Sequence, residues 1–165
     1  MVRRALAAVA AGLVVVSAAV AADALRTVEG NGVSLRVTPD WVRVTRADER
    51  PTANPRTLLV VGTRGVRPID TECQVASYRV PADGAAVVVI GWKGKLGVSY
   101  LPGKEALFAK ELEREYFECF DGRGIAAQIE LRGHTYQLNV MVGDRADRTT
   151  VAEAMATARS FVLAD

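Results

Sequence analysis

The chain has 165 residues, half of them hydrophobic, which is enough for one domain with a sizeable core. It carries 21 basic and 19 acidic residues, and residues 1–22 contain two arginines and no acid, so the remainder is neutral. Neither balance supplies the strong positive field that nucleic-acid binding needs.

The opening "MVRRALAAVAAGLVVVSAAVAADAL" places Arg3 and Arg4 ahead of an almost unbroken run of apolar or small residues over 5–22. Ala19 and Ala21 form an A-x-A cleavage site, with Val20 and Ala22 an alternative one residue on. This predicts a secretory signal over residues 1–22. The alternative is an uncleaved anchor, because the run reaches the ~18 residues a spanning helix needs. The protein is expected to be secreted or extracytoplasmic, meeting a membrane only through residues 1–22 if they are retained. Residues 23–165 are expected to form a single domain, with its ordered core over about 30–163.

An exported chain meets oxidising conditions. Its two cysteines, Cys73 and Cys119, then read most simply as one disulfide. A loop of that length gains roughly 4 kcal/mol in the chain-entropy model. Buried free thiols are the alternative; catalysis or metal binding is the weaker one, since C-x-x-C is absent and two cysteines with one histidine cannot complete a structural zinc site. Thiol titration separates these readings. A structural bridge leaves no reactive thiol until the protein is unfolded with reductant, whereas ready reduction of the folded protein would favour a redox pair.

"GVSLRVTPDWVRV" (32–44) alternates as a half-buried strand does, with Val33, Leu35 and Val37 on one face and a turn at Pro39-Asp40. Residues 46–57 are polar with two prolines and read as a surface loop. "LLVVGTRGV" (58–66) reads as a buried strand ended by glycine. "DTECQVASYRV" (70–80) is ambiguous between a short helix and extended chain. "PADG" (81–84) is a turn signal, and "AAVVVIGW" (85–92) is a central strand covered on both faces. "GKEALFAKELEREYF" (103–117) is full of strong helix formers at helical spacing and predicts a helix. Asp121 and Gly122 then read as a turn.

The best specified element is "IAAQIELRGHTYQLNVMV" (125–142), a hairpin with Arg132-Gly133 as its loop. Pairing Leu131 with His134 places Ile129 by Tyr136, Ala127 by Leu138 and Ile125 by Val140 on one apolar face. Glu130 by Thr135 and Gln128 by Gln137 make the other face polar, and a one-residue slip would scramble that separation. "DRTTVAEAMATARSFVL" (147–163) is an amphipathic helix, with Thr150 and Glu153 at capping-box spacing and Val151, Ala154, Met155, Ala158 and Val162 as its stripe. The predicted class is α+β: a mainly antiparallel, twisted sheet, a C-terminal helix packed on it and one or two further helices.

"GVSLRVTPDW" resembles the opening hairpin of the Mog1/PsbP-like architecture, and a late hairpin followed by a helix ending in "ATARSFVLAD" is similar to its close. The order "PADGA", an apolar strand, "ECF" and a hairpin ending in "VGDRA" resembles uncharacterised exported or membrane-anchored actinobacterial proteins over most of residues 30–165. In those proteins the segment before "ECF" is more proline-rich and extended, where this chain has "KEALFAKELERE". The resemblance implies a non-enzymatic binding or accessory module, with no catalytic residues to carry over.

The residues give few catalytic candidates. His134 is the lone histidine, and it is expected at a strand end as a rim residue rather than a general base. G-x-S-x-G, G-K-[ST] and G-x-G-x-x-G are absent, and Gly122 comes too late for the acids at 111–121 to form a calcium loop. Residues 36–67 are net basic and 104–121 net acidic, which reads as scattered solvated charge or as a two-signed partner surface. Trp41 and Trp92 are expected as core or core-edge anchors, and with His134 they are the candidate ligand or partner surface. The function expected from the absence of a complete catalytic constellation, and implied by the resemblance, is a non-catalytic exported domain of the bacterial cell envelope. It would bind a protein, an envelope component or a small ligand without a cofactor or metal. Two alternatives are a small hydrolase with a non-standard site around His134 or the acids at 111–121, and an oxidoreductase using Cys73 and Cys119.

Overall fold

A computed structural model describes residues 25–45, 54–69, 77–109, 111–117 and 120–165. The predicted signal over 1–22, Cys73 and Cys119 lie outside the described residues, as do residues 70–76 of the ambiguous 70–80 stretch.

Alternation sets the first hairpin. Strands β1 (Arg26–Gly30) and β2 (Val33–Val37) pair antiparallel across Asn31-Gly32, whose positive φ angles of 50° and 78° suit a tight two-residue turn. A short C-terminal strand, Val162–Leu163, joins the other side of β2 and completes a three-stranded sheet.

The main sheet follows from the strongly apolar segments. Strands β3 (Val42–Arg43), β4 (Arg56–Gly62), β5 (Arg67–Ile69), β6 (Ser77–Arg79) and β7 (Ala85–Gly91) come next in the chain. They are followed by β8 (Arg114–Phe117), β9 (Phe120–Leu131) and β10 (His134–Val142). Six of these form one antiparallel sheet in the order β3-β4-β7-β10-β9-β8, while β5 and β6 pair separately. Every residue of β7 is buried, as its unbroken apolar run requires for a strand covered on both faces. The register of β9 and β10 is the one expected from the sequence, with Leu131 opposite His134 and Ile129 opposite Tyr136. Arg132 and Gly133 turn the chain at φ 49° and 77°.

Period-2 alternation in β7 and β10 splits the core in two. Val87, Val89, Leu138 and Val140 face Leu35, Trp41, Ala154, Met155 and Phe161. Val88, Ile90 and Met141 face Val60, Tyr78 and Phe120. The first layer is closed by β1–β2 and by helix α1 (Arg148–Arg159). Asp147 caps that helix, its carboxylate accepting from Thr150 N at 2.7 Å, and this bond holds the carboxyl below the usual carboxylate range. Thr150 is therefore not the cap, and the expected Thr150/Glu153 capping box does not form. Val162 also leaves the stripe: it is exposed, and Phe161 enters the core instead, its ring 5.4 Å from that of Tyr136.

Two further expectations are corrected. Residues 103–117 are not an α-helix: a single 3-10 turn covers Lys104–Phe108, and Arg114–Phe117 is β8. Asp121 and Gly122 are not a turn but lie inside β9, opposite Tyr116 and Glu115. Both corrections have one cause. Strand β9 runs back to Phe120 and leaves a row of unpaired backbone groups on its outer edge, and an extended partner satisfies them where a helix cannot. Gly124 N donates to Glu113 O at 3.0 Å and Gln128 N to Pro102 O at 2.8 Å, so the 102–117 segment tracks that edge. Among the described residues α1 is the single α-helix, so the additional helix expected over 103–117 is replaced by an edge strand.

Candidate functional site

Helix α1 does not lie flush on the sheet along its whole length. Its small residues Ala154 and Ala158 are fully buried against the sheet, while Arg148, Val151, Ala152, Met155 and Arg159 recur at helical spacing along an adjoining face. That face borders an open groove of about 690 Å³, closed on its far side by Ala109, Glu111 and Leu112. The volume falls within the range of small-molecule sites.

Three arginines frame the groove, and two are held by backbone carbonyls. Arg123 projects from β9 toward α1 and donates to Gly143 O and Ala146 O at 3.0 and 2.9 Å. Arg159 donates to Leu107 O at 2.8 Å and lies 5.3 Å from the centre of the Phe108 ring, a cation–π distance. This contact ties the 3-10 turn to the C-terminal end of α1. Arg148 is exposed at the rim beside the helix-capping Asp147. The apolar part consists of Leu112, Val151 and Met155. The arrangement suits an elongated apolar body with an anionic end, which would meet guanidinium groups while its chain covers the aliphatic surface.

A smaller hollow of about 330 Å³ lies on the opposite flank of α1, between Leu25, Arg36, Thr38 and Glu153. Glu153 accepts from Trp41 Nε1 at 3.1 Å. No helix among the described residues is long and apolar enough to cross a membrane.

The residues singled out from sequence do not form one site. Trp41 is fully buried in the α1-side core. Trp92 is half-buried and packs on the other core, across the sheet, so the two rings line no common cleft. His134 is exposed at the hairpin turn, where its Nδ1 accepts from Gly94 N at 3.2 Å. None of the three borders the groove, and no signal short of the tertiary packing of α1 on the 109–112 segment would have found it.

The polar face of the β9–β10 hairpin is also not a solvated one. Gln128, Thr135, Gln137 and Asn139 are all buried. Gln128 and Thr135 hold a loop over residues 92–102: Gln128 Oε1 accepts from Tyr100 N at 3.2 Å, Gln128 Nε2 donates to Val98 O at 3.0 Å, and Thr135 Oγ1 accepts from Leu96 N at 3.0 Å. Gln137 Nε2 donates to Asn139 Oδ1 at 2.8 Å.

No protein-family model matches the chain, and no curated protein or solved structure was found similar to it.

Proposed function

We propose that this chain is a non-catalytic exported binding module of the bacterial cell envelope, and that the groove beside α1 is its ligand seat. The observation that carries the reading is the groove itself, about 690 Å³ in volume, with an aliphatic patch at Leu112, Val151 and Met155 framed by Arg123, Arg148 and Arg159. The ligand class is a small amphipathic molecule with one anionic group, because three arginines, against the two carboxylates of Glu111 and Asp147, stand around the aliphatic side chains of Leu112, Val151 and Met155. Export is supported by the basic and apolar opening of the chain, and the Cys73–Cys119 disulfide and the Mog1/PsbP-like likeness belong to the same reading.

The test uses 8-anilinonaphthalene-1-sulfonate, an aromatic anion that fluoresces in apolar surroundings, with dodecanoate as competitor. Saturable binding displaced by dodecanoate is expected. Ala152 is exposed on the groove wall, so Ala152→Trp fills the trough without disturbing the core. This variant is expected to weaken binding about tenfold, the equivalent of ~1.4 kcal/mol. Arg148→Glu is expected to weaken it too. Unchanged affinity in both variants, with unchanged melting temperature, would assign the dye to another surface and remove the reading.

A further inference from the structure

The loop between β7 and the 3-10 turn carries a second surface, independent of the groove. Val98 and Tyr100 are 50% and 77% exposed, although their backbone is firmly held. Lys93 N donates to Asn54 Oδ1 at 2.9 Å, Gly94 N to His134 Nδ1, and Leu96, Val98 and Tyr100 are bonded to Thr135 and Gln128 as described. Ser99 Oγ closes on Leu101 O at 2.8 Å. Two large apolar side chains are thus presented outward by a braced loop whose anchors are buried amides and a hydroxyl. Burying polar groups is costly unless they are bonded, and here those bonds serve to keep this loop in place.

The charges at this end are in basic excess. Arg56, Lys93, Lys95, Lys104 and Arg132 are exposed, against Glu105 and Glu130 among the described residues. Both carboxylates are engaged within the protein: Glu130 pairs with Lys95 at 2.8 Å, and Glu105 accepts from Gly103 N at 3.0 Å. The ammonium of Lys95 is held charged by that pair, its pKa raised first by the hydrogen bond and then by the Coulomb attraction of Glu130.

We infer that residues 93–101, with the adjoining turn at Arg132 and His134, form a docking surface for an anionic lipid membrane. The tyrosine ring sits at headgroup level with its apolar body inward, the valine reaches the acyl boundary, and the lysines and arginines meet lipid phosphates. Charge complementarity selects anionic headgroups over zwitterionic ones. An acidic protein would satisfy the same charge, but an outward-pointing tyrosine and valine on a surface with a net excess of cations match the amphipathic boundary of a bilayer more closely.

Hydrogen–deuterium exchange on the full chain tests this, because it reads position as well as binding. Samples hold vesicles of phosphatidylglycerol, vesicles of phosphatidylcholine, or soluble poly-L-glutamate. Residues 1–22 are present in every sample, so any recruitment by that segment is common to the parent chain and the variant, and their difference reads 93–101 alone. Slowed exchange over 93–101 on phosphatidylglycerol vesicles alone is expected, with loss of that protection in Val98→Ser/Tyr100→Ser. Both residues are exposed, so the variant keeps the core. Equal exchange on both vesicle types would overturn the inference, as would protection that survives in the variant. Protection by poly-L-glutamate without protection by vesicles would overturn it in favour of an acidic polypeptide.

Discussion

Trp41→Ala is expected to lower the unfolding free energy by about 3–5 kcal/mol, the range for deleting a fully buried aromatic ring. For a domain whose net stability is typically ~5–15 kcal/mol, that is a large share of the total. Trp41 is 0% exposed and lies between the two sheets and α1. Its indole N–H reaches Glu153 on α1, and its carbonyl accepts from the Arg26 guanidinium at the start of β1. One side chain thus closes the core while its polar handle ties in the helix. Trp41→Phe separates the two roles. It keeps most of the ring volume and removes the bond to a partly buried carboxylate, so a smaller loss of about 1.5–3 kcal/mol is expected. Urea denaturation of the two variants measures both steps. If Trp41→Ala cost no more than Trp41→Phe, the ring would not be the packing element that its burial indicates.

Much of this fold is legible in the residues because local pattern and tertiary demand agree. The β9–β10 register follows from alternation on both sides of Arg132-Gly133, and β7 from an unbroken β-branched run. The C-terminal helix follows from its stripe, although its cap is Asp147 rather than Thr150. The failure at 103–117 is a case of disagreement. Leucine, lysine, glutamate and alanine there have strong helix propensity, but propensity is worth only tenths of a kcal/mol per residue. The unpaired edge of β9 offers backbone hydrogen bonds instead, and Phe108 is 64% exposed beneath Arg159. The polar face of the hairpin misleads for a related reason. Alternation says which residues share a face, and not what covers it. Here Gln128 and Thr135 are covered by a loop whose backbone they bond. The groove is the least legible feature. Arg123, Leu112 and Met155 come from β9, from a connecting segment and from α1, and each is ordinary in its own local sequence.

Gly143 is where stability and the groove meet, and Gly143→Ala is expected to be among the most damaging single-methyl additions in the chain. A Cβ at this position would fall on the carbonyl oxygens of Pro81 and Ala82. These are backbone atoms of the 81–84 turn, and they cannot swing aside as the end of a flexible side chain can. The turn is itself closed by Gly84 N on Pro81 O at 3.0 Å and joined to the β10 exit by Gly143 N on Gly84 O at 2.9 Å and Arg145 N on Ala82 O at 2.6 Å. Relief of the clash must break this network. Overpacking ordinarily costs about 1–3 kcal/mol, and the upper end or beyond is expected here. Gly133→Ala supplies the contrast. Nothing lies within 4 Å of a Cβ there, and its φ of 77° makes the cost one of backbone conformation alone, about 1–2 kcal/mol. Gly143 does not occupy the left-handed region, so its cost is steric. The two variants also separate at the groove. Gly143 O is one of the two carbonyls that aim Arg123, so Gly143→Ala is expected to weaken anilinonaphthalenesulfonate binding even where the variant remains folded, while Gly133→Ala leaves it unchanged. Equal destabilisation by the two substitutions would show that the 81–84 turn yields, and that the β10 exit is not the rigid post on which Arg123 and the start of α1 are set.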